Sequence, residues 1–304
     1  MTQILLDLQE VVKDYDKKRA VDKVSFQLPK GAIFGLLGPN GAGKTSLIRI
    51  ITSITRADAG VVLFNGEPLQ EKHSERMGYM PEERGLYKKM KIGDHLLYLA
   101  QLKGLSYQQA KKELTYWMEK FDIMDWWPKK IEELSKGMQQ KIQFIVTILH
   151  KPDLIILDEP FSGLDPINAN LIKDEILNLN KNGATLIFST HRMEQVEEIC
   201  EEIVLINNGA NVLQGRVKDI KNSYKDNIFN VDFNVPTQVV LPEEFDMKQI
   251  NDFKIQVKLG ENQSSNALLQ LLLNQNLQIS GFNEILPSLN EIFIRRVGQS
   301  NSFS

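Results

Sequence analysis

The run Gly38-Pro39-Asn40-Gly41-Ala42-Gly43-Lys44-Thr45 constrains this chain more than any other feature, because it fits the pattern G-x-x-x-x-G-K-[ST]. The apolar stretch Ala32 to Leu37 leads into it and helical periodicity begins at Lys44, so the motif stands between a strand and a helix, the context it requires. Glycines let backbone N–H groups turn inward around phosphate oxygens, and the helix N-terminus adds its dipole. Lys44 is the side chain expected to reach the β- and γ-phosphates, Thr45 offers a hydroxyl to Mg²⁺, and Ser46 carries the cradle into the helix.

A second motif answers the first. Leu154-Ile155-Ile156-Leu157 reads as a buried strand that ends on two carboxylates, Asp158 and Glu159. Adjacent acids after a strand are commonly plain solvated loop residues. Beside a phosphate cradle they acquire distinct roles: Asp158 holds Mg²⁺ through water, and Glu159 polarises a water for in-line attack on the γ-phosphorus.

The remaining pattern gives the organisation. Short β-rich segments come first (Ile4 to Leu8, Val24 to Leu28, Ala32 to Leu37), then a helical stretch from Lys91 to about Leu149. Within it Ala110, Leu114, Trp117, Met118 and Phe121 form one apolar face. Apolar strands at Leu154 to Leu157, Thr185 to Ser189 and Ile203 to Ile206 then alternate with helices, the signature of a parallel sheet covered on both sides. The chain is therefore expected to be α/β. A polar, turn-rich run from Lys221 to Asn227 closes this part, and beyond it the order strand, strand, helix (Ala267 to Leu273), strand, helix (Leu289 to Arg295) predicts a small α+β domain. The boundaries expected are 1–220 and 221–304, with the helical part at about 88–150. At 304 residues with 42% hydrophobic content the chain has room for both parts.

Composition removes several other readings. The longest apolar runs fall well short of the roughly 20 residues that cross a bilayer. The start, Met1-Thr2-Gln3, has no basic stretch or small-residue cleavage site, so a cytoplasmic location is expected. A formal charge of -3 gives no reason to expect nucleic acid as a partner. The single cysteine, Cys200, shares a helical pattern with Val196 and Ile199 and reads as a buried structural thiol.

Many nucleotide-hydrolysing proteins carry both phosphate motifs, and the segments between and after them narrow the class. Leu134-Ser135-Lys136-Gly137-Met138-Gln139-Gln140 resembles the signature sequence of ABC ATPases, at the interval before Asp158 that these proteins require. Ser162-Gly163-Leu164-Asp165 resembles their D-loop, Ser189-Thr190-His191 their switch histidine, and Tyr15 stands where the family places an aromatic. Residues 4 to 220 thus resemble an ABC transporter ATP-binding subunit. Tyr79-Met80-Pro81-Glu82-Glu83-Arg84-Gly85-Leu86-Tyr87, the signature variant and the C-terminal extension are similar to those of the ABC-2 exporter type, in the sodium-efflux (Nat-like) branch.

The resemblance implies a P-loop core with an antiparallel β subdomain and a helical subdomain. ATP and Mg²⁺ are its ligands. Ser135 and Gly137 would cap the γ-phosphate of the opposite subunit, Asp165 would cross the dimer interface, His191 would contact the γ-phosphate, and Tyr15 would stack on adenine. A second ATP-binding subunit, most simply another copy, and an integral-membrane permease are the implied partners. They would hold the chain at the cytoplasmic face of the membrane as the ATPase of an exporter. The alternative is an ABC ATPase outside transport, regulatory or associated with nucleic acid. A single ABC unit without long heptads speaks against it. Ser135 also reads as an ordinary helix N-cap, and Tyr15 in isolation as a packing residue.

Three positions depart from the family pattern. Glu82 stands where most relatives carry glutamine, adding a negative charge while keeping an oxygen that coordinates metal, so Thr45, Glu82 and Asp158 form the expected metal shell. Lys136 and Met138 replace the usual Gly and Gln, and the Ser135 and Gly137 contacts are retained. Trp117 reads as core. Trp126 and Trp127 either line a groove for the permease or finish the packing of the helical part, with packing favoured.

Overall fold

The computed structural model describes residues 3–16, 18–83 and 85–300, the last three by backbone alone. Met1, Thr2 and Arg84, which entered the sequence reading, lie outside the described residues. Two compact units divide the chain, Met1–Arg216 and Val217–Ser304.

The first unit opens with two long strands, β1 (Ile4–Tyr15) and β2 (Lys18–Pro29), paired antiparallel. β1 runs past Leu8, where the sequence reading stopped it, because register shifts interrupt the apolar alternation and Glu10 takes a positive φ of 48°. Then follow β3 (Ile33–Leu37), α1 (Lys44–Ile51), β4 (Ala59–Phe64), β5 (Glu67–Pro68) and β6 (Met77–Met80). The helical part is broken into α2 (Ile92–Leu102), α3 (Tyr107–Lys120) and α4 (Lys136–Ile148), with short 3₁₀ turns before α4. β7 (Leu154–Asp158), α5 (Pro166–Lys181), β8 (Thr185–Thr190), α6 (Met193–Ile199), β9 (Glu202–Asn207) and β10 (Ala210–Arg216) complete it.

Among the described residues these strands form two sheets. One is antiparallel, in the order β2-β1-β4-β5; the other runs β10-β9-β3-β8-β7-β6, parallel from β9 to β6 with β10 antiparallel at its edge. Every residue of β3, β7 and β8 is buried, as strands covered on both faces require. One apolar cluster joins the two sheets through α1: Leu47, Ile48, Ile50 and Ile51 meet Leu6, Val24 and Phe26 of the antiparallel sheet and Leu36, Ile156 and Val204 of the parallel one. The helix that follows the glycine-rich loop is thereby fixed from both sides.

In the helical part Ala110, Leu114, Trp117, Met118 and Phe121 are buried together, as their spacing predicts. Trp127 covers the start of α2, where a Cβ added to Gly93 would fall on its indole ring, and the Gly93 N–H donates to the Trp127 carbonyl at 3.1 Å. Packing is the role this geometry favours for Trp127. Gly93→Ala is accordingly expected to cost about 1–3 kcal/mol through overpacking, read as a lower urea midpoint with an unchanged m-value.

The second unit contains α7 (Val217–Ser223), β11 (Ile228–Phe233), β12 (Asp246–Asn251), β13 (Lys254–Lys258), α8 (Ser265–Asn274), β14 (Ile279–Ile285) and α9 (Leu289–Ser300). The division falls ahead of the 220/221 boundary read from the polar run, and α7 makes contact with α9 inside this unit. Its sheet, β12-β13-β11-β14, has one strand more than the sequence suggested ahead of α8. β12 is an edge strand of largely exposed residues, so it shows no apolar alternation to read. Val231, Phe233, Ile255, Val257, Leu268 and Leu272 make a separate core beneath α8. Cys200, in the first unit, is buried and its thiol is pushed up by burial, which suits the structural reading.

Candidate active site

β3, β8 and β7 are neighbours in the parallel sheet, and their carboxyl ends carry the glycine-rich loop, Ser189-Thr190-His191 and Asp158-Glu159 respectively. The register pairs Asp158 with Ser189 and Leu37 with Thr190, so motifs far apart in sequence finish at one edge, where ligands bind in open α/β sheets. The cleft formed there has a volume of about 310 Å³ and is lined by Asn40 to Ser46, Glu82, Asp158 and Glu159, together with Lys18 and Ala20 of β2.

Backbone geometry holds the loop. Gly43 is left-handed at φ 110°, and a Cβ there would strike the Ala20 carbonyl. The turn after β9 supports it from the other side: Gly209 N–H donates to the Ala42 carbonyl at 2.8 Å, and the Asp22 N–H to the Gly209 carbonyl at 2.8 Å. Lys44 is buried and its ammonium donates to the carbonyls of Gly38 (2.6 Å) and Pro39 (3.2 Å). Burial lowers its pKa, while Glu159, Asp158 and Glu82 act in the opposite sense.

The two acids are held differently. Asp158 accepts from the Ser189 hydroxyl at 2.7 Å. Burial raises its pKa, the Ser189 bond and Lys44 lower it, and Glu159 and Glu82 add to the rise. Glu159 has a positive φ of 51°, a conformation costly for a side chain of its size and one that clusters at functional sites. Its Oε2 accepts from the Thr190 hydroxyl (3.0 Å) and its Oε1 from the His191 N–H (2.8 Å), and Nδ1 of the His191 ring lies 2.6 Å from Oε1. His191 itself remains half exposed and does not line the cleft; it reaches the site through Glu159.

Among the described residues no cluster of three or more His, Cys, Asp or Glu side chains forms a ready metal cage. Mg²⁺ keeps waters and completes its shell with phosphate oxygens and one or two carboxylates. Glu82, Asp158 and Glu159 line one cleft with a single buried ammonium, that of Lys44, so the cleft holds more carboxylates than buried cations, an imbalance a divalent cation would relieve. The chemistry of these residues fits the ion, and Thr45, Asp158 and Glu82 are the ones that would hold it.

Other predicted residues lie elsewhere. Ser135 is exposed at the N-cap of α4, accepting from the Met138 N–H at 3.3 Å, and neither it nor Gly137 lines the cleft. Gly137 faces Gly163 and Leu164 of the D-loop. Asp165 caps α5, accepting from the N–H groups of Asn168 and Ile167 at 3.0 Å, and the bonds from the Asn168 backbone and side chain, above all, hold its carboxyl below the usual range. Tyr15 pairs with Lys18 at the tip of the β1–β2 hairpin with 39% of its surface open, and the Lys13 ammonium stands 5.4 Å from its ring centre. Sequence reading gave no role to Ser189, Thr190, Lys18 or Gln140. Two hydroxyl residues closing an apolar strand just before the histidine were the available signal for the first pair.

A parallel-sheet core with a glycine-rich phosphate loop, two acids at the next strand but one and a histidine between them defines a P-loop nucleotide-hydrolysing protein. Comparison places it within that class. Residues 21–162 match the family model of the ABC transporter, and residues 215–297 match that of the ATP-binding protein DrrA1-3-like C-terminal domain. The chain is 42% identical to the uncharacterized ABC transporter ATP-binding protein YhaQ of Bacillus subtilis (strain 168), over 97% of this chain and 99% of that one. It is 33% identical to the ABC transporter ATP-binding protein NatA of the same organism, over 72% of this chain and 92% of that one. A solved structure described as the ATP binding subunit of an ABC transporter matches with a TM-score of 0.68 at 28% identity, covering 72% of this chain and 93% of that one. The chain belongs to the ABC transporter ATP-binding proteins, and it is an ATPase of the transport class. No helix among the described residues is long and apolar enough to cross a membrane.

Proposed function

We propose that the chain drives an exporter by closing head to tail on a second copy of itself around two ATP molecules. One observation carries this reading: the hydrolytic groups meet in one cleft, while Ser135 and Gly137 stand outside it on the end of α4. A helix N-terminus with an exposed serine is a ready anion site, and a second copy supplies the anion. Each composite site then takes Lys44, Thr45, Asp158, Glu159 and His191 from one chain and Ser135 and Gly137 from the other, with Asp165 beside the shared interface. Glu159 orients the attacking water and receives its proton, and Tyr15 offers its open face to the adenine. Thr45, Asp158 and Glu82 would hold Mg²⁺, which would supply positive charge against the charge that develops on the phosphate.

In this reading the helical part, about residues 88–150, and the Glu82 loop receive an integral-membrane permease, which keeps the chain at the cytoplasmic face. Residues 1–220 serve as the nucleotide-binding domain and residues 221–304 as an accessory domain. The name of the Nod factor export ATP-binding protein I of Burkholderia thailandensis, 34% identical over 69% of this chain and 70% of that one, supports the exporter assignment. ATP-dependent dimerisation tests the closure: with ATP and Mg²⁺, the Glu159→Gln chain should elute at twice the monomer mass, and a chain that stays monomeric at saturating ATP would count against it. Pull-down of the tagged chain from membranes should bring down an integral-membrane protein, and its absence would remove the permease.

Glu82 gives a further expected result. Replacing it with glutamine removes a full charge from the metal side of the cleft, so the Mg²⁺ concentration for half-maximal ATPase activity should rise severalfold, a change of about 1 kcal/mol in binding. An unchanged Mg²⁺ titration would remove Glu82 from the metal shell.

A further inference from the structure

α4 does more than present Ser135. Two glutamines on its inner side, Gln140 and Gln143, are 2% and 5% exposed, far more buried than amides usually are. The Gln140 side-chain amide donates to the Pro160 carbonyl at 3.0 Å and, at a longer 3.4 Å, to the carbonyl of Glu159 itself. One turn along, the Gln143 amide donates to the carbonyl of Pro81, the residue before Glu82, at 2.7 Å. The opposite oxygen of Gln143 is buried without a partner. Turning that amide over would set oxygen against the Pro81 carbonyl, so the single N–H bond fixes its orientation.

These bonds fall where backbone position matters. Glu159 is in a left-handed conformation, pinned by its own N–H to the Ser189 carbonyl at 2.8 Å and by the Ser162 N–H to its carbonyl at 3.0 Å. Gln140 adds a clamp from a different element. Glu82 is exposed on a loop, and the Pro81 bond ties that loop to α4. Neither glutamine lines the cleft.

We infer that Gln140 and Gln143 are positioning residues, through which α4 sets the backbone that carries Glu159 and the backbone that carries Glu82. The inference rests on the assignment of Glu159 to the attacking water and of Glu82 to the metal side. It adds a link between the helix that offers Ser135 to one nucleotide and the loops that act on the other. A partner seated on the N-terminus of α4 would press on both loops through these two amides.

Volume-conserving substitutions isolate the effect, because methionine fills the space of glutamine without the donor. In the full chain with ATP and Mg²⁺, Gln140→Met should lower kcat by about tenfold to a hundredfold, the range expected when a reacting group is displaced by a fraction of an ångström to an ångström. The MgATP dissociation constant should stay within about twofold of the parent, since no phosphate contact is lost. Gln143→Met should raise the Mg²⁺ concentration for half-maximal activity while keeping ATP affinity. Equal losses of kcat and MgATP affinity would overturn the inference, because they mark general loosening. If Gln140→Met does not fold, Gln140→Glu replaces it: a carboxyl donates only when protonated, so its rate relative to the parent should climb as pH falls, and a flat ratio would overturn the inference. Glu159→Gln separates the premises. If it retains turnover, the base assignment fails; if it abolishes turnover while Gln140→Met keeps the parental kcat, the positioning role fails.

Discussion

Glu159→Gln should slow ATP hydrolysis by about a hundredfold to ten-thousandfold and leave ATP binding nearly intact, the range lost when a positioned general base is removed. The structure gives the reasons. Glu159 lies beside the phosphate loop at the end of β7, and its carboxylate accepts from the Thr190 hydroxyl and the His191 N–H. Glutamine keeps one acceptor oxygen and nearly the same volume, so the fold and the Thr190–His191 corner survive. The basic oxygen that takes a proton from water does not. Single-turnover hydrolysis of ATP at saturating Mg²⁺ measures the rate, and equilibrium titration measures affinity. A variant that turns over ATP like the parent would remove Glu159 as the base and leave the phosphate loop untouched.

The second large effect is on binding. Gly43→Ala forces a Cβ onto a residue at φ 110° and against the Ala20 carbonyl, so both the conformation and the space oppose it. A left-handed or sparsely populated conformation costs about 1–3 kcal/mol, and the clash with backbone adds to it, so ATP should bind about tenfold to a hundredfold more weakly or worse. Lys44 follows directly, and its ammonium would be displaced together with the loop. Gly41→Ala is the internal comparison: Gly41 is also left-handed, at φ 78°, but open space surrounds its Cβ position, so only the conformational cost applies. Calorimetric titration with ATP and Mg²⁺ should therefore rank the parent above Gly41→Ala and Gly41→Ala above Gly43→Ala. Equal affinity in all three would mean that the loop does not hold the phosphates in this geometry.

Much of the site was legible because its parts follow local rules. A glycine-rich turn between strand and helix, and acids closing an apolar run, are contiguous segments whose chemistry needs no tertiary partner to be recognised. The helical face from Ala110 to Phe121 was legible for the same reason, its spacing matching one helix turn after another. The parts that escaped reading are those whose pattern is set by exposure or by distant contacts. β12 was missed because an edge strand that turns only Met247 toward the core has no apolar alternation, and the second half of β1 because register shifts near Glu10 break it. Gln140 and Gln143 read as ordinary polar helix residues. Only the fold shows that they are buried against the carbonyls of Pro160 and Pro81.

The sequence by itself determined the class of chemistry, that of an ATPase, and the order in which the candidate phosphate loop and the two acids come along the chain. Order along a chain does not measure distance, however. Placing β3 beside β8 and β8 beside β7 brought Lys44, Asp158, Glu159 and His191 to one sheet edge, and the same packing left Ser135 and Gly137 outside that cleft. The physical reason lies in the parallel sheet. Its strands are buried on both faces and their ends align, so hydrogen-bonded register converts separate motifs into one site, while a helix cap such as Ser135 stays where its own helix begins.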